Sequence, residues 1–549
     1  MDTIKITFND GTLHEYPKGT SYYEISKDYK AMKDIMGVKV NHEVFALDKK
    51  VMSDKEVEFI DAGDLIGNKI YRSGLKAIFD LALHNTYPNL EINYAHSVPS
   101  GMLGVITGEK ILTQIDVSKI KEEMTKIIDE NIRFEKINVQ AREAIKYYEQ
   151  AGEKEKVKNI QYINDKVVVL YKLKNRINYY YTEMPYSTGS ISKFELIYLG
   201  NNRIVFIYPN IGNGDVVPEY VHYDNIINCF ALNKEWLNKL KMPYVTNINK
   251  CISDGEIHDF IKANELVFNL NVARIAKTIM DNSNIKFVLI AGPSSAGKTT
   301  TAYKLSTYLQ AIGYNPIKIS LDDYFKNLED TPKDEFGNYD FECLEAIDLE
   351  LFNSDLKKLL NNEKITLPQY NFITGKRELT KTKVALKENG ILIIEGLHAI
   401  NEELTPHIEA KNKYKIYLSP FMSLNIDRHN YISTIDLRLL RRIVRDNRTR
   451  GYKITDTIKN WQKVRQGEEE HIFPFIHQAD LIINTAYAYE VNALKTYVEP
   501  LLYSVSINNE YYEEARRLLS FLKQFFVIPS EYIPDDSILR EFIGGKNND

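Results

Sequence analysis

The sequence predicts an α/β protein whose main part is a doubly wound parallel sheet, preceded by a β-grasp domain and an α+β domain. Three observations predict it. Residues 287–291 (FVLIA) form a continuous apolar run, which is typical of a parallel strand buried on both faces. A glycine-rich segment and a helical pattern follow this run, and a second apolar run stands at 391–394 (ILII). The first sixty residues instead alternate apolar and polar side chains, as half-exposed strands do.

The composition is that of a globular protein with several domains. The chain has 549 residues, of which 44% are hydrophobic and 26% charged, and about 150 residues per domain implies three or four units. The formal charge of −5 argues against a protein that coats nucleic acid or an anionic membrane. The three cysteines offer no Cys-x-x-Cys pair, and no run reaches the roughly 18 apolar residues of a membrane span. We therefore expect a cytoplasmic protein with no membrane partner.

Residues 1–66 carry the pattern of a small β-rich domain. Ile4, Ile6 and Phe8 share one face of a strand, and the dipeptide 10–11 (DG) provides a hairpin turn. A helix is predicted over 21–36, followed by short strands around 38–40, 44–46 and 57–60. This order of elements resembles the ubiquitin-like TGS domain that opens threonyl-tRNA synthetases.

Residues 67–222 begin with a predicted helix over 71–84 and continue with a Lys/Glu-rich helix over 117–150 and several strands. This order resembles the editing-type domain that follows TGS in threonyl-tRNA synthetases. That family places two metal-directed histidines four residues apart on the first helix, where this chain has Arg72 and Lys76. The resemblance therefore implies a lost metal site, no stoichiometric zinc and no hydrolysis of mischarged tRNA. Either the two bases are ordinary surface residues or they form an anion site.

A phosphate-binding loop follows the first apolar strand. Residues 292–299 (GPSSAGKT) match G-x-x-x-x-G-K-[ST] between that strand and a helix predicted over 298–312. The backbone N–H groups of such a loop wrap a phosphate at the positive end of the helix. Lys298 is predicted to bridge the β- and γ-phosphates of ATP, and Thr299 to bind Mg²⁺. The predicted nucleotide-binding residues are Gly292, Pro293, Ser294, Ser295, Ala296, Gly297, Lys298, Thr299 and Thr300.

Carboxylates end two of the predicted parallel strands. Asp322 and Asp323 follow the strand at 317–321, and Glu395 follows the strand at 391–394. The carboxyl ends of parallel strands form the edge where open α/β sheets bind ligands. One carboxylate there can hold Mg²⁺ through water, and another can accept the proton of an attacking hydroxyl group.

An arginine-rich helix is predicted over 436–451 (DLRLLRRIVRDNRTRG). Arginines recur at steps of three and four residues, so several of them share one helix face and are expected to meet anions. The anions can be nucleic acid phosphates or the triphosphate of a bound nucleotide. The acidic net charge and the nearby phosphate-binding loop favour the nucleotide.

Together these segments resemble one enzyme family. The loop, the D-D-Y-F turn, P-Q-Y-N-F at 368–372, I-I-E-G and the arginine-rich helix resemble, in this order, the uridine kinase and phosphoribulokinase family, in particular its uridine-cytidine kinase branch. The resemblance covers about 284–505 and implies ATP and Mg²⁺ as cofactors, with Glu395 and Thr299 at the metal. The catalytic residues that it implies are Asp322 as general base, Lys298, and the lid arginines Arg445 and Arg450. The substrate-binding residues that it implies are Asp322, Tyr324, Glu342, Tyr370 and Arg442.

The substrate pocket departs from the family pattern. Gly375 stands where the family has a histidine, Tyr452 where it has an arginine, and Asn460 where it has a glutamine. Glu342 replaces an aspartate expected to hold the ribose hydroxyls. Recognition of a pyrimidine depends on placed donors and acceptors, so these exchanges leave the identity of the acceptor open.

The sequence therefore predicts a kinase that transfers the γ-phosphate of ATP to the 5′-hydroxyl of a ribonucleoside, uridine or cytidine by default. One alternative is the same chemistry on another nucleoside or a sugar-like alcohol. An alternative of another class is a nucleotide-regulated RNA- or tRNA-binding protein, although the chain has no guanine-reading N-K-x-D segment. RNA binding by the N-terminal half stays open, and a homo-oligomer is the expected assembly. A helical connector (223–283), a P-loop domain (284–505) and a C-terminal helical extension of open role (506–549) complete the predicted domains.

Overall fold

The computed structural model describes residues 2–29, 34–99, 101–334 and 337–545. The described residues form five sheets, and the largest number of parallel pairings lies in the sheet that carries the phosphate-binding loop. The predicted fold class is confirmed. Within the described ranges, no helix is long and apolar enough to cross a membrane.

The first sheet is a five-stranded β-grasp sheet. Its strands lie in the order β2-β1-β5-β3-β4, with β1 and β5 parallel. Gly11 has a φ of +83° and closes the predicted hairpin. Only a short part of the helix predicted over 21–36 is found, and residues 30–33 lie outside the described residues. The elements are β1 (Thr3–Phe8), β2 (Leu13–Pro17), α1 (Tyr22–Ser26), β3 (Gly37–Val40), β4 (Glu43–Phe45) and β5 (Lys55–Ile60).

A long helix and two antiparallel sheets form the next region. The four-stranded sheet has the order β11-β12-β7-β6, and the three-stranded sheet the order β10-β9-β8. The elements are α2 (Leu65–Thr86), β6 (Glu91–Val98), β7 (Gly101–Thr107), α3 (Gln114–Asp129), β8 (Glu135–Gln140), α4 (Ala141–Gln150), α5 (Lys154–Ile163), β9 (Val167–Leu173), β10 (Arg176–Asn178), β11 (Glu195–Tyr198) and β12 (Arg203–Ile207).

The single helix predicted over 117–150 is wrong. The structure ends α3 at Asp129, and Asn131 takes a left-handed backbone conformation with φ of +50°. Residues 135–140 then pair with β9, and the alternation of Ile137 and Val139 with polar neighbours suits a strand. The Lys/Glu-rich composition concealed this period of two.

Three helices connect this region to a five-stranded parallel sheet of order β14-β17-β13-β18-β19. The connecting helices are α6 (Asp224–Lys239), α7 (Val245–Ser253) and α8 (Ile257–Asp281). The sheet and its hairpin consist of β13 (Phe287–Ala291), β14 (Asn315–Ser320), β15 (Ile365–Asn371), β16 (Lys376–Val384), β17 (Gly390–Glu395), β18 (Lys413–Ser419) and β19 (Leu481–Asn484). Its helices are α9 (Lys298–Ala311), α10 (Leu349–Leu360), α11 (Thr434–Thr449), α12 (Ile454–His471) and α13 (Glu490–Tyr503).

The connector and the C-terminal extension belong to the core of the parallel sheet. Val272 and Ile275 of α8 pack in one buried cluster with Val288 and Ile290 of β13. The extension contributes Leu518 to the same cluster and contains α14 (Tyr512–Leu522) and α15 (Arg540–Ile543). Neither segment is therefore a free linker.

Lys76 of α2 lies in a contact with the segment that leads into α11. Its ammonium donates to the backbone carbonyl of His429 at 3.1 Å, and the amide of Tyr94 donates to the carbonyl of Arg428 at 2.9 Å. The hydroxyl of Tyr179 donates to Asp427 in the same segment. Burial, together with the nearby guanidinium of Arg72, lowers the pKa of Lys76 to about 7. Lys76 is thus tied to this chain by a backbone carbonyl and is not a free surface base.

Candidate active site

The phosphate-binding loop starts at a position that only glycine fits. A Cβ atom on Gly292 would lie 2.3 Å from the carbonyl oxygen of Leu418 on the neighbouring strand β18. The loop then turns through Ser295 and Gly297, whose φ angles are +62° and +83°, into α9. The first amide to bond within this helix is that of Thr301, which donates to the carbonyl of Gly297 at 3.1 Å. The preceding amides are left to face an anion.

Lys298 folds back over the loop. Its ammonium donates to the carbonyl of Pro293 at 3.3 Å, so the charge lies beside the loop and not in the apolar core. Two arginines of α11 bind the backbone of the loop. Arg438 donates to the carbonyl of Ser294 at 3.0 Å, and Arg441 donates to that of Ser295 at 3.1 Å. The loop is therefore fixed in shape without a ligand.

Glu395, at the end of β17, joins the loop to the neighbouring strand. Thr299 and Ser320 both donate to its Oε1 atom, at 3.0 and 2.9 Å. Burial raises the pKa of Glu395 to about 7, which Lys298 opposes and the charge of Asp322 favours. Mg²⁺ prefers oxygen ligands and keeps several waters, so a hydroxyl and a carboxylate at this spacing fit it. The cation would return the carboxyl group to its charged form.

Asp322 and Asp323 lie in one 3₁₀ turn after β14, but their surroundings differ. Asp323 accepts a hydrogen bond from the amide of Tyr370 at 3.1 Å, which ties the turn to β15. Burial raises the pKa of Asp323 to about 6, and the charge of Asp322 adds to this. Asp322 comes two residues after Ser320, which pairs in register with Glu395, so it follows the same edge of the sheet. The charge of Asp322 also raises the pKa values of Glu395 and Glu342.

The arginines of α11 divide into two groups instead of forming one anion-binding stripe. Arg438 and Arg441 are buried and pair with Glu468 and Glu490. Arg442, Arg445 and Arg450 gather around Asp446 with nitrogen–oxygen distances of 3.2, 2.8 and 3.7 Å. Arg442 also donates to the hydroxyl of Ser294 at 2.8 Å, which brings this second group to the loop. Burial alone would raise the pKa of Asp446, but the three arginines lower it.

The predicted acceptor residues lie in two environments. Tyr370 belongs to an aromatic group with Phe325, Phe341 and Phe372, and the guanidinium of Arg450 stands 4.6 Å from the centre of the Phe372 ring. Tyr324 points into the core, where its hydroxyl donates to Asp355 at 3.2 Å and its ring packs on Phe352. Tyr370 is therefore buried beside Phe372 and Arg450, whereas Tyr324, predicted to bind the substrate, is committed to the core. Such inward packing gives no signal in the D-D-Y-F motif itself.

Glu342 lies against α12 at a residue without a side chain. A Cβ atom on Gly467 would come within 2.5 Å of the Glu342 Cβ. The backbone carbonyl of Glu342 contacts the His398 ring nitrogen Nε2 at 2.8 Å. Burial raises the pKa of Glu342 to about 7, while the charge of Arg442 opposes this.

The exchanged pocket residues have structural reasons. Gly375 has a φ of +66° in the turn between β15 and β16, and a Cβ atom there would lie 2.9 Å from that of Leu328. A histidine at this position would be strained. Tyr452 is 37% exposed and Asn460 is also exposed, so neither side chain is committed to the interior.

Two site residues were missed in the sequence. Ser320 donates a hydrogen bond to Glu395. The sequence feature that could have identified it is a small polar residue at the end of a strand, shortly before two aspartates. Asp446 organises the second arginine group, and its signal was an acid four residues from both Arg442 and Arg450.

We expect Glu342→Gln to stabilise the ligand-free protein at pH 8 but not at pH 5. The pKa of Glu342 is raised in the folded state, so charging it costs stability as the pH rises from about 4.5 to 7. The gain at pH 8 should be about 1 kcal/mol after allowance for solvent screening. Thermal unfolding at both pH values measures it. Glu345→Gln, three residues away and exposed, is the matched control, and an equal gain from both variants would contradict the assignment.

The region that contains this site is similar to known kinases. The model of the phosphoribulokinase / uridine kinase family matches residues 287–492. The uridine kinase of Borrelia duttonii is 32% identical over 201 residues, which cover 36% of this chain and 86% of that protein. The uridine kinase of Halobacterium salinarum is 29% identical over 214 residues, which cover 38% of this chain and 85% of that protein.

The N-terminal region has a different relative. The threonine–tRNA ligase of Caldanaerobacter subterraneus is 30% identical over 165 residues, which cover 30% of this chain and 26% of that protein. This match supports the predicted resemblance of the N-terminal region. The family model matches the region that holds the loop, Glu395 and the arginines of α11, and together with the similarity to the Borrelia duttonii uridine kinase this shows that the chain belongs to the phosphoribulokinase / uridine kinase family.

Proposed function

We propose that the protein is an ATP- and Mg²⁺-dependent kinase that phosphorylates the 5′-hydroxyl of a ribonucleoside, uridine or cytidine by default. One observation carries the proposal: the loop, Glu395 and the second arginine group of α11 converge at the sheet edge where Asp322 stands. Phosphoryl transfer needs such convergence, because positioning and charge neutralisation provide most of its catalysis.

Each group has a role in the transfer. Lys298 and the free amides at the start of α9 hold the β- and γ-phosphates, and Asp322 accepts the proton of the attacking hydroxyl group. Arg445 and Arg450 neutralise charge on the transferring phosphoryl group. Mg²⁺ bound near Thr299 and Glu395 would neutralise the phosphate oxygens. Asp446 offsets the mutual repulsion of Arg442, Arg445 and Arg450 and so holds them together before the phosphates bind.

The acceptor side supports a nucleoside. Phe372, which is exposed and packs on the buried ring of Tyr370, offers an aromatic surface for a base, and Glu342 offers an acceptor for ribose hydroxyls. Uridine is the acceptor named for the relatives. Gly375, Tyr452 and Asn460 remove expected pocket groups, which keeps another nucleoside or a sugar-like alcohol as the second candidate.

A coupled assay of ATP consumption over a panel of nucleosides and sugar alcohols tests the proposal. We expect the highest kcat/KM with uridine or cytidine, and ³¹P NMR should assign the product as the 5′-monophosphate. Preference for a purine nucleoside or a sugar alcohol would transfer the proposal to the second candidate. Absence of turnover with every acceptor, under conditions where ATP binds, would contradict the nucleoside kinase assignment.

A further inference from the structure

The C-terminal residues 534–545, here called the C-terminal strap, cross the start of α9 beside the phosphate-binding loop. Ser537, Ile538, Leu539 and Phe542 of the strap are fully buried. The strap lies outside residues 287–492, which match the family model.

The strap follows one face of α9. A Cβ atom on Gly297 would lie 2.9 Å from a methyl group of Ile538. The hydroxyl of Thr300 donates to the Glu541 carboxylate at 2.7 Å, and the ammonium of Lys304 pairs with Asp536 at 2.7 Å. Positions 297, 300 and 304 are three and four residues apart and share a helix face.

The strap also binds the arginine helix α11. Arg448 donates to the carbonyl of Phe542 at 3.1 Å and to that of Glu541 at 3.2 Å. The guanidinium of Arg441 stands 4.9 Å from the centre of the Phe542 ring. The strap thus joins the helix that starts at the loop to the helix whose arginines face the phosphates.

The position of the strap relative to the acceptor side indicates its role. Thr299 bonds Glu395, on the side of Asp322, and so marks the γ-phosphate end of the donor. The nucleobase of the donor must therefore lie at the opposite end of the phosphate chain, beyond the amide of Thr300. We propose that the C-terminal strap forms the base-side wall of the donor nucleotide site, with Glu541 as the positioning residue that fixes Thr300. This inference rests on the proposed function.

Direct binding of ATP by calorimetry, without an acceptor, tests the wall. Glu541→Ala should raise the Kd of ATP about two- to tenfold, the range expected for one lost hydrogen bond. In steady-state kinetics, KM for ATP should rise while KM for the acceptor stays unchanged. Glu541→Gln should restore ATP affinity, because its amide oxygen still accepts from Thr300. Arg448→Met should weaken ATP binding as well, because it releases the strap from α11.

Glu531→Ala is the matched control, since it removes the same kind of side chain at an exposed position just before the strap. We expect it to leave ATP affinity unchanged. Equal ATP affinity of the parent and Glu541→Ala, or equal weakening by Glu531→Ala, would contradict the proposed role of the strap. A parent protein that binds no ATP would instead overturn the proposed function.

Discussion

Lys298→Ala should abolish phosphoryl transfer, lowering kcat/KM by at least about a thousandfold while the fold stays intact. The ammonium lies over the loop and bonds one carbonyl of it, so its removal takes a positive charge from the phosphates and no contact from the core. A preorganised charge in a site that excludes water contributes several kcal/mol to the transition state. The coupled assay measures the loss, and thermal unfolding checks the fold.

The control for this variant is Lys286→Ala. Lys286 precedes β13, so it stands at the opposite end of the strand from the loop, and it is exposed. Lys286→Ala therefore removes the same kind of side chain at a position distant from the phosphates. Turnover of Lys298→Ala within tenfold of the parent would show that the loop does not hold the donor in the predicted way.

The parts of the site that the sequence predicted are those set by local rules. A buried strand, a glycine-rich loop and a helix follow one another within residues 287–311. The loop can therefore be recognised from the local sequence, without knowledge of distant contacts. Parallel pairing of β13 and β17 brings the loop residue Thr299 to Glu395 at one edge of the sheet, as predicted from the sequence.

The parts that the sequence did not predict depend on partners far along the chain. The spacing of Arg438 and Arg441 on the arginine-rich helix predicts phosphate ligands, but in the structure they pair with Glu468 and Glu490. The strap reaches the loop although Glu541 is 241 residues from Thr300. Lys76 contacts His429 across 353 residues. Local periodicity carries no information on such contacts, which tertiary packing selects.

Asp322→Asn should lower kcat by about 10²- to 10⁴-fold, the contribution of a positioned general base, with a smaller effect on ATP affinity. Asp323→Asn should cost less, because Asp323 accepts a hydrogen bond from the amide of Tyr370 and an asparagine oxygen can still accept it. Asp323→Asn is thus the matched control from the same turn.

The two variants also differ in which kinetic constant they change. Loss of the base at Asp322 affects the chemical step, so kcat falls and KM for the acceptor changes little. Asp323→Asn keeps the hydrogen bond from the Tyr370 amide but weakens it, because a neutral oxygen replaces a carboxylate. β15 and the Tyr370 ring can then shift slightly, so KM for the acceptor should rise more than kcat falls. Initial rates over a grid of ATP and acceptor concentrations separate these effects. If Asp323→Asn lost more kcat than Asp322→Asn, the base would be Asp323, whose pKa is raised to about 6 by burial.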